Sequence, residues 1–192
     1  MKTLREVIEQ TIVLKEKILA DQQLLDNAEQ AATTITQALL NGQRVFFGGN
    51  GGSAADAQHL AAELSGRFFL ERPALNAEAI GINIPFLTAV SNDYHFNDAY
   101  ARYLEGAARA GDVLVLLSTS GNSENILRVA QTARKKGVIT IALTGTTGGK
   151  LAPLVNLALC IPSADTPSIQ EVSMLLGHFI CGKVEYNIFG NQ

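Results

Sequence analysis

The arrangement that most constrains this chain occurs twice: a short apolar run passes directly into a glycine- or serine-rich loop and then into a helical pattern. Arg44–Phe47 leads through Gly48-Gly49-Asn50-Gly51-Gly52-Ser53 into a helix predicted over Ala54–Leu64, with Gly66 as its end. Val113–Leu117, the clearest buried strand, leads through Ser118-Thr119-Ser120-Gly121-Asn122-Ser123 into a helix over Glu124–Lys136. Further strands are expected at Ala77–Ile82, Val138–Leu143 and Leu157–Ile161, with a polar turn at Thr144–Gly149. Apolar strands alternating with helices favour an α/β protein whose parallel sheet is covered on both faces.

The remaining pattern is helical. Leu4, Val7, Ile8, Thr11, Ile12, Leu14 and Ile18 recur at helical spacing and form one apolar face of a first helix. A second helix is expected over Asn27–Leu40, stopped by Asn41-Gly42. Polar turns around Asn92-Asp93 and His95 precede helical character over Tyr100–Ala110, and a long terminal helix runs from about Ser168 to Phe189. No internal repeat or linker divides the chain, so residues 1–192 are expected to form one domain, with a helical amino-terminal extension over about 1–40.

Apolar residues make up 47% of the chain and charged residues 17%. That charged share is below the roughly 25% usual for a soluble domain, so a lone monomer would have a thin polar surface and oligomerisation is expected. A net charge of −3 without a basic block offers little support for nucleic-acid binding. Cys160 and Cys181 form no CxxC pair and read as structural thiols. The amino terminus lacks a signal-peptide pattern and the apolar runs are too short to cross a bilayer, so no membrane is predicted and a cytoplasmic location is expected.

The two loops carry the first functional signal. Glycines permit a tight turn, and the leading amides of the following helix can face an anion. Ser118, Thr119, Ser120 and Ser123 add hydroxyl donors at the second loop. Turn formation and helix capping would also account for such residues singly, but two such loops at strand ends favour a ligand crevice. Gly49-x-Gly51-x-x-Ala54 is only a partial dinucleotide fingerprint, and the Gly-Lys-Ser/Thr ending of a Walker A loop is absent. The ligand class narrows to a small phosphorylated molecule.

His59 and Glu63 stand four residues apart on the first of these helices and emerge on one face. They suit metal binding or concerted proton movement, Glu63 being the better general-base candidate; a solvated surface pair is the alternative. Gln170 and His178 are separated by about 12 Å along the terminal helix, which makes shared ligation of one nearby metal demanding within a single subunit. His178 could provide acid/base chemistry, Gln170 could orient oxygens, and a structural role is open for both. Gly177 in mid-helix points to close packing beside a site or partner. Asp93 and His95 could order substrate, Arg67 could meet a phosphate or end its helix, and Phe68-Phe69 read as packing surfaces.

Gly48–Phe68, SNDYHFND at Ser91–Asp98, STSGNS at Ser118–Ser123, LTG at Leu143–Gly145 and IQE followed by His178 together resemble the sugar-isomerase, or SIS, family, and within it the phosphoheptose-isomerising branch. The resemblance implies a doubly wound, SIS-type parallel five-stranded sheet and a homotetramer with active sites assembled at subunit contacts. It implies interconversion of D-sedoheptulose 7-phosphate and D-glycero-D-manno-heptose 7-phosphate through a cis-enediol, with Glu63 and His178 as the acid/base pair. Ser53, Ser118, Thr119, Ser120 and Ser123 would hold the phosphate; Asn50, Gly51, Gly52, Asn92, Asp93, Glu63 and Gln170 would complete the substrate contacts. His59, Glu63, Gln170 and His178 resemble the zinc-associated set of some members. Ser168 stands where the family more often has an arginine before Ile169-Gln170-Glu171. The resemblance further implies an early step in making activated heptose for lipopolysaccharide or another surface glycan.

Two other functions share the same phosphate loops: a noncatalytic SIS protein that senses a sugar phosphate or partners with replication initiation, and an isomerase of another sugar phosphate. Glu63 together with His178 favours an enzyme.

Overall fold

The computed structural model describes residues 2–190. Five apolar segments form the strands: Val45–Gly49 (β1), Ala77–Ala79 (β2), Val113–Ser118 (β3), Ile139–Thr144 (β4) and Leu157–Cys160 (β5). They pair in the order β2-β1-β3-β4-β5, every pair parallel. The strand order reverses at β1 and β3, and Gly49 pairs with Leu117 there, so the loops after these two strands leave the sheet side by side. Such a switch point is where an open α/β sheet leaves a crevice.

Alternation along the strands divides the core in two. Val45, Phe47, Val115, Leu117, Ile141 and Leu143 face one layer, formed by Leu4–Ala20 (α1), Gln22–Leu40 (α2), Gly52–Ser65 (α3) and Thr166–Phe189 (α7). Phe46, Leu114, Leu116 and Ala142 face the other, where Ile84–Asp93 (α4), Phe96–Ala107 (α5) and Glu124–Lys136 (α6) pack. The predicted sheet buried on both faces, with helices on either side, is therefore what the chain forms.

Several boundaries differ from the sequence expectations. The second helix starts at Gln22 because the Asp21 side chain accepts from the Leu24 amide and caps it. The strand expected over Ala77–Ile82 ends at Ala79, since residues 80–81 turn toward α4. Helix α4 replaces the first of the expected polar turns: Asn83 caps it, Pro85 sits in its first turn, and Asn92 and Asp93 are its last residues. Helix α5 begins at Phe96 and ends at Ala107, earlier at both ends than expected. Asp165 caps α7, whose first residue, Thr166, comes two residues before the predicted start.

Helix α1 is anchored by buried Leu14 and Ile18, but Leu4, Val7, Ile8, Ile12, Val13 and Leu19 remain exposed. Among the described residues, no helix is long and apolar enough to cross a membrane.

Candidate active site

The strand ends fix the first half of the site. Asn50, Ser53, Ser118, Thr119, Ser120 and Ser123 surround a cavity of about 60 Å³ between the loop after β1 and the loop after β3. Gly51 turns the chain into α3 with a positive φ of 55°, a conformation that glycine adopts without a Cβ penalty. Side chains cap the amino ends of α1, α2, α4 and α7, through Thr3, Asp21, Asn83 and Asp165. Gly51 and Ser123 provide no such bond to α3 and α6, the two helices that open at this cavity. Their leading amides are left to an outside acceptor, and the helix dipoles favour an anionic one. The predicted phosphate-loop residues are thus brought together.

Asn125 was not singled out from the sequence. It is 1% exposed, and its amide and that of Asn50 exchange two hydrogen bonds of 2.8 Å. The pair ties the first turn of α6 to the loop before α3, while each amide keeps further hydrogen-bonding capacity. A polar residue beside Ile126 and Val129 on the core face of an amphipathic helix was the available signal. Behind the same loop, the Tyr100 hydroxyl donates to the Gly49 carbonyl at 2.7 Å, and burial pushes the phenol's pKa up.

The second half lies along α3 and α7, which run side by side in the same direction. Gln170 packs its amide against Gly52, while seven residues on His59 meets His178. His59 Nε2 is 2.9 Å from His178 Nε2 and 3.1 Å from Glu63 Oε1. The His178 ring stacks on Phe68 at 5.6 Å. One turn before His59, burial pushes the Asp56 carboxyl up, opposed by the His59 charge.

Two imidazole Nε2 atoms this close cannot both carry hydrogens toward each other; one must accept, or a cation must lie between them. One donor atom each from His59, Glu63 and His178 falls within 4.8 Å of the others, a nitrogen and carboxylate set that fits a divalent metal with a position left open. The structure separates Gln170 from His178 along α7, in keeping with the spacing argument, and places the Gln170 amide at the amino end of α3 instead.

Other candidates are more dispersed. Asn92 and Asp93 are exposed, bonded to each other at 3.0 Å, and lie on α4, in the layer opposite α3 and α7. His95 is exposed at the start of α5 and makes no side-chain cap. Arg67 pairs with Glu71 at the surface. Phe68 packs as expected, whereas Phe69 is 73% exposed, its ring 4.0 Å from that of Phe68 and its edge against Gly182. Cys181 is buried and burial pushes its thiol up to about 12, the behaviour of an inert structural cysteine.

Sequence reasoning also passed over Arg72 and Glu185, whose charged groups meet at 2.9 Å with side chains 1% exposed. A lone acid on the buried face of α7, next to Val184, was the signal.

Comparison with known proteins gives one result. The SIS domain family profile matches residues 8–145. A phosphoheptose isomerase of Aneurinibacillus thermoaerophilus is 44% identical over 185 residues, covering 96% of this chain and 93% of the relative. A phosphoheptose isomerase of Mycobacterium tuberculosis (strain CDC 1551 / Oshkosh) is 47% identical, covering 98% and 96%. Among solved structures, a phosphoheptose isomerase from Francisella tularensis superposes with a TM-score of 0.89 at 34% identity, covering 96% of this chain and 98% of that one.

Proposed function

The chain belongs to the SIS domain family, and within it we propose that the protein interconverts D-sedoheptulose 7-phosphate and D-glycero-D-manno-heptose 7-phosphate. It is an enzyme, a ketose–aldose isomerase of phosphoheptoses. The observation that carries the reading is the meeting of Glu63, His59 and His178 on two facing helices, one of which begins at the anion cavity.

The geometry suits a chain-like substrate held at its far end. Ser53 and His59 are separated by about 9 Å along α3, the reach of a sugar of several carbons. Ser53, Ser118, Thr119, Ser120 and Ser123, with the free amides of α3 and α6, bind the phosphate. Asn50, Gly51, Gly52 and Gln170 line the way from there, and Asn92 and Asp93 contact hydroxyls. Binding energy at the phosphate positions C1 and C2 at the other end.

Glu63 takes a proton from C1 of the open-chain ketose while the C2 oxygen gains one, giving the cis-enediol. The O1 proton then leaves as C2 is protonated, forming the aldehyde at C1. His178 gives the proton to O2 and accepts the one from O1, so no net proton is consumed.

His59, Glu63 and His178 would hold zinc, with Gln170 of the expected set reaching it from a neighbouring subunit, and the metal would supply polarisation of the substrate oxygens. The nitrogen and carboxylate donors of His59, Glu63 and His178 support this reading.

The whole chain acts as one domain, 1–192, in the cytoplasm, as a homotetramer whose active sites are shared between subunits. The uncovered apolar face of α1 supports association, and the separation of Asp93 from Glu63 within one chain supports sharing. The product feeds activated heptose synthesis for lipopolysaccharide or another surface glycan.

The test is turnover of sedoheptulose 7-phosphate by the purified protein, with and without added zinc, reading the aldose product. Turnover is expected, and its absence from correctly folded oligomer refutes the assignment. Glu63→Gln should lower kcat by about 10²–10⁴-fold. Full activity in that variant would exclude Glu63 as the base.

A further inference from the structure

Arg72 follows the end of α3 and turns back onto it. Its NH2 donates to the Glu63 carbonyl at 2.7 Å, and its NH1 donates to the carbonyls of Leu64 at 2.7 Å and Gly66 at 2.9 Å. These are orphan acceptors at the carboxyl end of α3, so the guanidinium serves as the helix's cap. Its Nε donates to Glu185 Oε1 at 2.9 Å.

Glu185 collects the other side. Its carboxylate accepts from the backbone amides of Phe68, Phe69 and Leu70 at 3.0, 2.7 and 3.0 Å. Burial would push this carboxyl up, but those three amides and Arg72 hold it below its ordinary value. Phe68, whose amide is held there, stacks its ring on His178. One buried pair therefore grips the backbone of Glu63 and, through Phe68, braces the ring of His178.

A pair of isolated buried charges is weak evidence for stability, because apolar side chains of similar volume often replace one without loss. Here every donor or acceptor is directed at the helix end and loop that flank Glu63 and His178. We propose that Arg72 and Glu185 are positioning residues for the isomerase, setting the spacing of α3 and α7 at which Glu63, His59 and His178 meet. The inference rests on the proton-transfer roles given above to Glu63 and His178.

Three variants test it: Arg72→Lys, which keeps the charge without the planar fork; Glu185→Gln, which keeps the shape without the charge; and the double variant Arg72→Met with Glu185→Leu. Each is checked for folding by circular dichroism and thermal melting. In folded protein the imidazole nitrogen resonances of His59 and His178 are recorded without substrate, and kcat, KM and inhibition by inorganic phosphate are measured. The ring resonances are expected to shift and kcat to fall by about 10–10²-fold, the scale of a 1 Å misplacement. KM and phosphate inhibition should stay within about twofold, because the anion cavity sits at the other end of α3.

Wild-type ring resonances and kcat in a folded variant overturn the inference. A kcat loss matched by the unfolded fraction does so too, and failure of all three variants to fold would make the pair a folding element only. Full activity of Glu63→Gln would refute the assigned base while the ring resonances, read without turnover, still decide the positioning role.

Discussion

Gly177 lies so close to Leu60 that a Cβ at position 177 would fall 2.6 Å from both Leu60 methyl groups. The two residues immediately precede and follow the histidines that meet: Leu60 comes after His59 and Gly177 before His178. Cys181 continues the contact, its thiol reaching the Leu60 carbonyl. The absent side chain thus sets how near α7 approaches α3. Gly177→Ala should gain about 1 kcal/mol from helix propensity and lose more to overpacking, about 1–3 kcal/mol. The net expectation is reduced stability in urea and a larger loss of kcat than of stability; a variant with unchanged kcat would show that this approach does not govern the site.

Ser123 stands at the amino end of α6 and spends no side-chain bond on capping it. Ser123→Ala should therefore leave folding intact and weaken the anion cavity. A hydrogen bond to a charged group contributes about 1.5–3 kcal/mol, so KM and the inhibition constant of inorganic phosphate should each rise about tenfold or more. An unchanged phosphate constant would place the anion elsewhere.

Calorimetric titration with zinc should give one site per chain. His59→Ala removes one of the converging donors and is expected to weaken binding by more than about tenfold, at least the cost of losing a supporting partner of a metal ligand. Equal affinity in wild type and variant would rule out the His59, Glu63 and His178 cluster as the metal site.

Ile8 and Ile12 are each 51% exposed on a face of α1 left uncovered among the described residues. Light scattering should give a mass above that of one 20.5 kDa chain, and Ile8→Glu with Ile12→Glu should lower it. A wild-type monomer with full turnover would reject the shared site.

Glu185 also links stability to pH. Its folded pKa is held below the ordinary 4.5, so its contribution is complete above that value and is lost as pH falls through the folded one. Urea unfolding from about pH 5.5 to 3 should show stability falling more steeply with acid in the wild type than in Glu185→Gln. Parallel curves would mean that the carboxylate gains nothing from its donors.

The sequence by itself determined the strands, the helices other than α4, and part of the site. Short apolar runs passing into glycine and serine loops specified a parallel sheet with an anion cradle at its strand ends, because strand burial and helix amino ends are properties of local sequence. The four-residue step from His59 to Glu63 placed those two on one face for the same reason. Helix α4 escaped because its start signals, the cap Asn83 and first-turn Pro85, sit in a segment also rich in turn residues. The resemblance names His178 beside Glu63, but only the tertiary structure brings His178, 119 residues away, against His59, turns Gln170 to Gly52, and makes Asn125, Arg72 and Glu185 hold the frame. Periodicity says which face of a helix is buried. Which polar group finds which partner depends on how two distant helices pack, and at α3 and α7 the fit of Leu60 against a residue with no side chain limits how near they come.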